Sequence, residues 1–427
     1  MPRRPLRPPT RPPAAPGPSE ILVEITGLAP GGDAVGRQVG GADDGRVTFV
    51  PYAAPGERVQ VQLVRSKARV AWGEMLGIAS APSAARVTPP CPLFGSCGGC
   101  QWQHVDQGIQ RSAKGDIVAR ALGVSLGEAS PVGPAYGYRE RTRLAVATEA
   151  NVDGSAPADA GPVRVGYRAR RSHEVLDVAT CPLLAPTLDA ALPVVRARAG
   201  QVPPGTEFHL LLGQGGGREL VAGAAGGRGF VINAQSGGGL ALKDVAPSDR
   251  SHWPDVSEAG GPPLAIPPEG FAQVSRAGNA ALVRAVLEAV GPKPGRVLEL
   301  FAGSGNFTRH LVRHADEVIA SDGDLGAVAR GRLNVPEATW KDAAALNPTV
   351  LPADTVVVDP PREGLDDHSL ALAAAAQRLV YVSCDPQTLS RDRGLLLRRG
   401  MRLVGAQAFD LMPQTHHVEV VALFERR

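Results

Sequence analysis

Apolar positions repeat with two different periods along the carboxyl-terminal part of the chain. Gly278 to Val290 carries Leu282, Val283, Val286, Leu287 and Val290, the spacing that lays one buried face along a helix. Short β-rich runs follow at Arg296-Val-Leu-Glu-Leu-Phe301, Glu317-Val-Ile-Ala-Ser321, Thr355-Val-Val-Val-Asp359 and Leu379 to Val382. Strands alternating with helices predict a doubly wound α/β domain from about Pro263, with ligands beyond the carboxyl ends of the strands. The amino-terminal pattern differs. Ile21 to Ile25, Arg46 to Val50, Arg58 to Leu63 and Val70 to Leu76 are short alternating segments. Turn signals at Pro30-Gly31-Gly32, Asp43-Asp44-Gly45 and Pro55-Gly56 separate them, which predicts a small β-barrel. From about Pro203 to Gly261 glycine is frequent and motifs are absent, so only short strands and loops are expected. Residues 1 to 18, rich in proline and arginine, predict a disordered tail.

Length and charge narrow the classes. The 427 residues allow two to four domains. No apolar run reaches membrane-spanning length and the amino terminus has no signal-peptide core, so a cytoplasmic protein is expected. Of the net charge of +3, Arg3, Arg4, Arg7 and Arg11 lie in the tail, with no acid before Glu20. The remainder is close to neutral, so a nucleic-acid partner must be argued from local clusters. Period two places Arg139, Arg141 and Arg143 on one strand face, and Tyr167-Arg-Ala-Arg-Arg171 adds a second cluster. Both suit phosphate contacts on RNA, although a single such run is often a solvated face.

Five cysteines in a cytosolic chain point to metal binding or catalysis rather than disulfides. Cys91, Cys97 and Cys100 fall in one loop, and Cys181 and Cys384 are the remaining thiols that can complete a four-thiolate site. Three in a loop with a remote fourth suits an iron–sulfur cluster first, zinc second and unligated thiols a distant third. Cys384 follows the apolar run Leu379 to Val382, and Asp385-Pro386 ends that strand. A lone thiol there is either a small buried side chain or a nucleophile delivered at a ligand-binding edge.

Neighbouring motifs shift that balance. Leu298-Glu-Leu-Phe-Ala-Gly-Ser-Gly-Asn-Phe-Thr308 is a glycine-rich turn from strand to helix, and Asp322 ends the next strand, where a carboxylate can hold a ribose. This is also the arrangement of S-adenosylmethionine methyltransferases. Asp359-Pro-Pro-Arg-Glu-Gly-Leu365 puts a carboxylate and a stiffened exit at a third strand end. Related motifs serve amino methylation, but a thiol is superfluous for a nitrogen that already offers an electron pair. A ring carbon needs it: thiolate addition at C6 of uracil makes C5 nucleophilic. A base must then remove the C5 proton. Glu419, opening an apolar strand after Thr415-His-His, is the first candidate, and His416 or His417 the alternatives.

Gly27 to Gly36 with Phe49-Val-Pro-Tyr52 and Pro55-Gly-Glu-Arg-Val59 resembles the TRAM module of RNA-modifying enzymes. Asp359-Pro-Pro-Arg362, Ser383-Cys-Asp-Pro386 and His417-Val-Glu419, with the cysteine pattern, resemble the RNA uracil-5-methyltransferases over nearly the whole chain after the tail. The resemblance implies a class I methyltransferase domain at 263–427, a TRAM/OB-like barrel at 19–80 and a mostly β iron–sulfur domain at 81–262. It implies Cys384 as nucleophile, Glu419 as base and a 4Fe-4S cluster on Cys91, Cys97, Cys100 and Cys181. For S-adenosylmethionine it points to Gln273, Phe301, Asn306, Asp322, Asp342 and Asp359. The partner implied is RNA, with 23S ribosomal RNA favoured and transfer RNA the alternative, and the chain is expected to be a monomer. The sequence departs from the family at Val274-Ser275 instead of Val-Asn, at Asp322 where glutamate is common and at Asp342 where asparagine is usual. An amino methyltransferase and a non-catalytic RNA-binding protein are the competing classes.

Overall fold

The computed structural model describes residues 20–41, 43–147, 163–215, 218–234, 240–346 and 353–427; the expected tail at 1–18 lies outside them. The chain forms two compact units. One runs to Ala29 and from Asp33 to Arg86, the other comprises Pro30–Gly32 and Val87–Arg427.

The first unit is a closed barrel of β1 (Glu20–Leu28), β2 (Ala34–Val39), β3 (Val47–Val50), β4 (Arg58–Lys67) and β5 (Val70–Ile78), in the order β1-β2-β3-β5-β4. Its alternation is that of a small barrel: Val23, Ile25, Val59, Val61 and Ala71 point inward and are buried. Strand β2 alternates in burial too, but its inward positions Ala34, Gly36 and Gln38 carry no large apolar side chain, so no apolar alternation marks it in the sequence. A Cβ on Gly36 would come within 2.2 Å of the Glu24 carbonyl oxygen, so glycine permits the close β1–β2 approach.

The second unit contains two sheets. Strands β7 (Arg141–Ala147), β8 (Arg164–Arg168), β9 (Val175–Asp177), β10 (Glu207–Gly215), β11 (Arg218–Ala225), β12 (Arg228–Ala234) and β13 (Leu240–Val245) form an antiparallel sheet ordered β13-β12-β11-β10-β7-β8-β9. The glycine-rich stretch after Pro203 is therefore a regular meander rather than scattered short strands. Its glycines fit close packing: a Cβ on Gly223 would meet the Phe230 ring at 2.2 Å.

The other sheet has the order β16-β15-β14-β17-β18-β20-β19-β6, from β6 (Ser130–Pro131), β14 (Arg296–Leu300), β15 (Glu317–Asp322), β16 (Thr339–Asp342), β17 (Thr355–Val358), β18 (Arg378–Ser383), β19 (Met401–Asp410) and β20 (Glu419–Arg426). β16, β15, β14, β17 and β18 are mutually parallel, and the fully buried runs Thr355–Val358 and Leu379–Ser383 are what a sheet covered on both faces requires. The predicted helix is Arg276–Val290, capped by Ser275 and packed through Leu282, Val283, Val286 and Val290. Strand order reverses between β14 and β17, which opens the ligand crevice of a doubly wound sheet there. β20 alone runs against its neighbours β18 and β19. Its first residue consequently lies at the edge where the parallel strands end.

Candidate active site

That reversal assembles the chemistry. Ser383 pairs with Val420, so the register carries Cys384 and Glu419 to the same end of adjacent strands. Asp359 follows the last residue of β17 on the other side of β18. The Cys384 turn is fixed locally. Asp385 caps the helix Pro386–Arg398 by accepting from the Gln387 and Thr388 amides, and Ser383 Oγ donates to the Asp385 carbonyl at 3.0 Å. The Asp359-Pro-Pro-Arg loop is tied to the same helix. Thr388 Oγ1 donates to the Arg362 carbonyl at 2.8 Å, while buried Asp392 accepts from the Leu365 amide at 2.9 Å and the Tyr381 hydroxyl at 2.7 Å.

Electrostatics divide the roles. Burial, and then the neighbouring Glu419 and Asp359 carboxyls, push the Cys384 thiol up to about 11 against the opposing pull of Arg362. Burial and Asp359 raise Glu419 to about 8, again opposed by Arg362, and burial alone raises Asp359 to about 7. Glu419 is thus a carboxyl able to exchange a proton near neutrality. His417 is a feeble alternative, because burial, then His416 and Arg362, depress it to about 3. Arg362, the last residue of the Asp359-Pro-Pro-Arg motif, is the cation that opposes the rise at both Cys384 and Glu419.

Across the sheet reversal, Gln273, Phe301, Asn306 and Asp359 line one cavity together with Gly303 and Ser304. Phe301 adopts φ +60, unfavourable for a bulky side chain, and Gly303 and Gly305 follow at +57 and +98. Strain concentrated in a turn facing a cavity marks a ligand clamp. Beneath it buried Glu299 accepts from Thr308 Oγ1 at 2.6 Å, and burial raises its carboxyl to about 8. Asp322 accepts from the Gly303 amide and the Asp324 amide, both at 2.8 Å, so its carboxylate is oriented and each oxygen keeps a lone pair for a hydroxyl. Asp342 pairs with Asp322 in register but turns its carboxylate to the Ala344 amide; neither aspartate lines the cavity itself, and Asp322 is tied to it through the Gly303 amide.

Residues that no motif signalled hold this cavity in shape. Asn306 and Asn279 exchange amide hydrogen bonds at 2.7 and 2.9 Å, and Asn279 also donates to Glu258. Glu258 pairs with buried Arg309 and with His310. In the arginine run, Arg141 donates to the Ala272 carbonyl at 2.7 Å with its guanidinium over the Phe271 ring. It secures the segment delivering Gln273 instead of a phosphate. Glu140 fixes the Arg276 amide and side chain at the start of its helix.

Cys91, Cys97, Cys100 and Cys181 line a second cavity of about 280 Å³, alongside Arg139, Arg143, Tyr167 and Arg168. Cys384 is not among them. Burial raises the thiols of Cys97 and Cys181 and lifts Cys100 to about 12, the four cysteines also repelling one another as thiolates. Among the described residues, no three His, Cys, Asp or Glu side chains come together closely enough to hold one metal ion. No described helix is long and apolar enough to cross a membrane.

A doubly wound sheet with a strained glycine-rich turn, an oriented acid on the next strand and a carboxyl at the strand-order reversal is the class I S-adenosylmethionine methyltransferase fold, here with a five-stranded barrel of TRAM/OB type in the same chain. Residues 346–427 match the family described as tRNA (Uracil-5-)-methyltransferase, and residues 19–76 match the TRAM domain. The chain is 33% identical to a 23S rRNA (uracil(1939)-C(5))-methyltransferase RlmD of Thiobacillus denitrificans, covering 95% of this chain and 99% of the relative. It is 34% identical to the protein of that name from Burkholderia lata, covering 97% of both. Among solved structures it resembles in fold the Pyrococcus abyssi tRNA (uracil-54, C5)-methyltransferase in complex with S-adenosyl-L-homocysteine, with a TM-score of 0.64, 22% identity, and 95% and 100% of the two chains covered. The chain belongs to the RNA uracil-5-methyltransferase family, and is an RNA-modifying methyltransferase of that group.

Proposed function

We propose that this protein methylates C5 of a uridine in 23S ribosomal RNA, using S-adenosylmethionine and a transient bond between Cys384 and C6 of the base. The observation that carries the reading is the β18–β20 register, which delivers a thiol and a proton-accepting carboxyl to one strand edge. Cys384 Sγ adds to C6, and the electron pair reaching C5 makes that carbon the nucleophile. When bound, S-adenosylmethionine supplies an electrophilic methyl group. Glu419 then takes the C5 proton, the C5–H electrons restore the C5–C6 double bond, and the C6–Sγ bond breaks to return thiolate. Arg362 favours the charged forms of both groups in turn. Gln273, Phe301, Asn306 and Asp359 line the methyl-donor cavity and Asp322 holds the ribose; Asp342 is the member of the expected set that the geometry supports least.

Cys91, Cys97, Cys100 and Cys181 fit a 4Fe-4S cluster better than zinc. Three thiols in one loop with a remote fourth suit such a cluster, and all four line one cavity of about 280 Å³. Methyl transfer moves no net electrons, so the cluster's role is structural. Ribosomal RNA is favoured over transfer RNA because relatives matching nearly the full length carry the 23S name. We place the enzyme in the cytoplasm as a monomer, with the barrel at 19–80, the cysteine-bearing part at 81–262 and the catalytic domain at 263–427.

A transcript containing 5-fluorouridine, incubated with enzyme and methyl donor, tests the chemistry. Fluorine cannot leave as a cation, so a conjugate resistant to denaturation accumulates. Absence of that conjugate on a transcript whose uridine form is turned over would refute the mechanism, and full activity in Cys384→Ala would point to amino methylation.

A further inference from the structure

The connection between β19 and β20 ends at the proposed base and is held with unusual thoroughness. Asp410, the last residue of β19, receives a hydrogen bond from Lys114 Nζ at 2.5 Å, with Lys114 fully buried and Asp410 nearly so. The same ammonium donates to the Met412 carbonyl at 3.1 Å. Tyr138 donates its hydroxyl proton to the Pro413 carbonyl at 3.1 Å. Gln414 then adopts φ +70, a conformation unfavourable for a non-glycine residue that persists only where surroundings fix it. They do: Gln414 donates its amide proton to Gln110 Oε1 at 2.9 Å and accepts from Gln110 Nε2 at 3.0 Å through its own side chain. Its carbonyl accepts from the Gln101 and Trp102 amides, the two residues directly after Cys100. Phe409, just before Asp410, pairs with Glu419 itself, so the segment is anchored on both sides of the base.

A loop that only closed two strands would not need a buried ion pair, a two-point glutamine lock and a strained residue. We propose that Gln110 and Lys114, acting through Gln414 and Asp410, are positioning residues that hold Glu419 where it can take the C5 proton. The inference rests on Glu419 being the base. It makes a selective demand on the reaction. Addition of Cys384 and capture of the methyl group precede base action, so a loosened connection slows only the last step, in which the C5–H electrons form the double bond and the C6–Sγ bond breaks. The methylated adduct then outlives its normal span.

The test uses the full-length enzyme with its cysteine site loaded as purified, in Gln110→Ala and Lys114→Met forms, on an ordinary uridine transcript. Folding is checked by thermal melting and by calorimetric binding of S-adenosylmethionine; should Lys114→Met not fold, Gln110→Ala carries the test. Steady-state turnover is expected to fall about tenfold to hundredfold, the scale of an ångström misplacement. The first-turnover burst of methyl transfer should persist, with KM for RNA not raised. A denaturation-resistant conjugate on unfluorinated RNA should accumulate, which a merely destabilised protein would not give. Unchanged turnover, or lost turnover without conjugate, overturns the inference. Wild-type enzyme with the 5-fluorouridine transcript is the control that separates the two levels: no conjugate there means the mechanism itself has failed, whereas a wild-type conjugate with none accumulating in the variants removes only the positioning role.

Discussion

Glu258 and Glu419 expose nearly the same fraction of surface, 9% and 7%, within one unit, but Glu419 is set deeper among protein atoms and the two end in opposite protonation regimes. Burial alone would raise both. At Glu258, close contact with His310 and the hydrogen-bonded Arg309 guanidinium outweigh it and hold the carboxyl at about 2. At Glu419, burial is joined by repulsion from Asp359, and Arg362 opposes them only in part, leaving the carboxyl at about 8. Depth and pairing together decide which buried acid is a structural anion and which is poised to move a proton: Glu419 has more protein packed around it and only one opposing cation, whereas Glu258 has two basic partners. The first kind fastens the proposed methyl-donor cavity through Asn279 and Asn306; the second lies at the strand edge where chemistry is proposed.

The comparison is broken most severely at the strand edge. Cys384→Ala is expected to lower turnover at least about 10,000-fold, as loss of an essential nucleophile does, while leaving the melting temperature nearly unchanged. Single-turnover methylation and differential scanning calorimetry on one preparation would show both. A large loss of stability would place Cys384 in the frame instead of the chemistry. At the other pole, Arg309→Met leaves Glu258 as a buried anion with one partner fewer, and a broken buried pair costs about 3–5 kcal/mol. Urea unfolding should register that cost, and a loss under about 1 kcal/mol would show that Glu258 is solvated after all.

Acidity sharpens the contrast further. Glu419 must be ionised to accept a proton, and its folded value lies near 8, so below that value the competent fraction falls about tenfold per pH unit. Turnover should therefore climb about fiftyfold between pH 6 and 8 and flatten above about pH 9, when adduct release limits the rate. Glu258 stays ionised across that whole range and contributes no slope. A profile flat from pH 6 to 9 would remove Glu419 from the base role.

Local pattern and strand-end chemistry made much of this legible. The alternation of Thr355–Val358 and Leu379–Val382 with helices announces the doubly wound sheet, and Asp359, Cys384 and Glu419 each sit where an apolar run starts or stops. What stayed hidden depends on contacts far apart in sequence. Nothing near Glu258 or Asn279 says they meet, because 21 residues and a change of element separate them. Gln110 and Gln414 are 304 residues apart and have no local signature. Arg141 read as a phosphate ligand because period two fixes its face; the carbonyls of Gly270 and Ala272, which claim its guanidinium, come from a distant segment. Frequent glycine between Pro203 and Gly261 weakened the strand signal, although those glycines are what lets the meander pack.

The gentlest effect concerns two aspartates at neighbouring strand ends, Asp322 and Asp342, which pair in register yet face different work. Asp322 spans the Gly303 and Asp324 amides, so removing it frees the strained turn as well as the ribose-side acceptor. Asp322→Ala should weaken S-adenosylmethionine binding about tenfold or more, since a hydrogen bond to a charged group contributes about 1.5–3 kcal/mol. Asp342 instead caps the short turn Ala343–Ala345 through its Oδ1. Asp342→Ala should cost stability of about 1 kcal/mol, the usual cost of losing such a cap, and shift cofactor affinity by less than about threefold. Asp342→Asn retains a capping oxygen and should be silent in both measurements. Calorimetric titration of the three variants decides the matter: a tenfold loss of affinity in Asp342→Asn would mean that its carboxylate reaches the methyl donor and that strand position, not the hydrogen bonds now made, determines which aspartate binds.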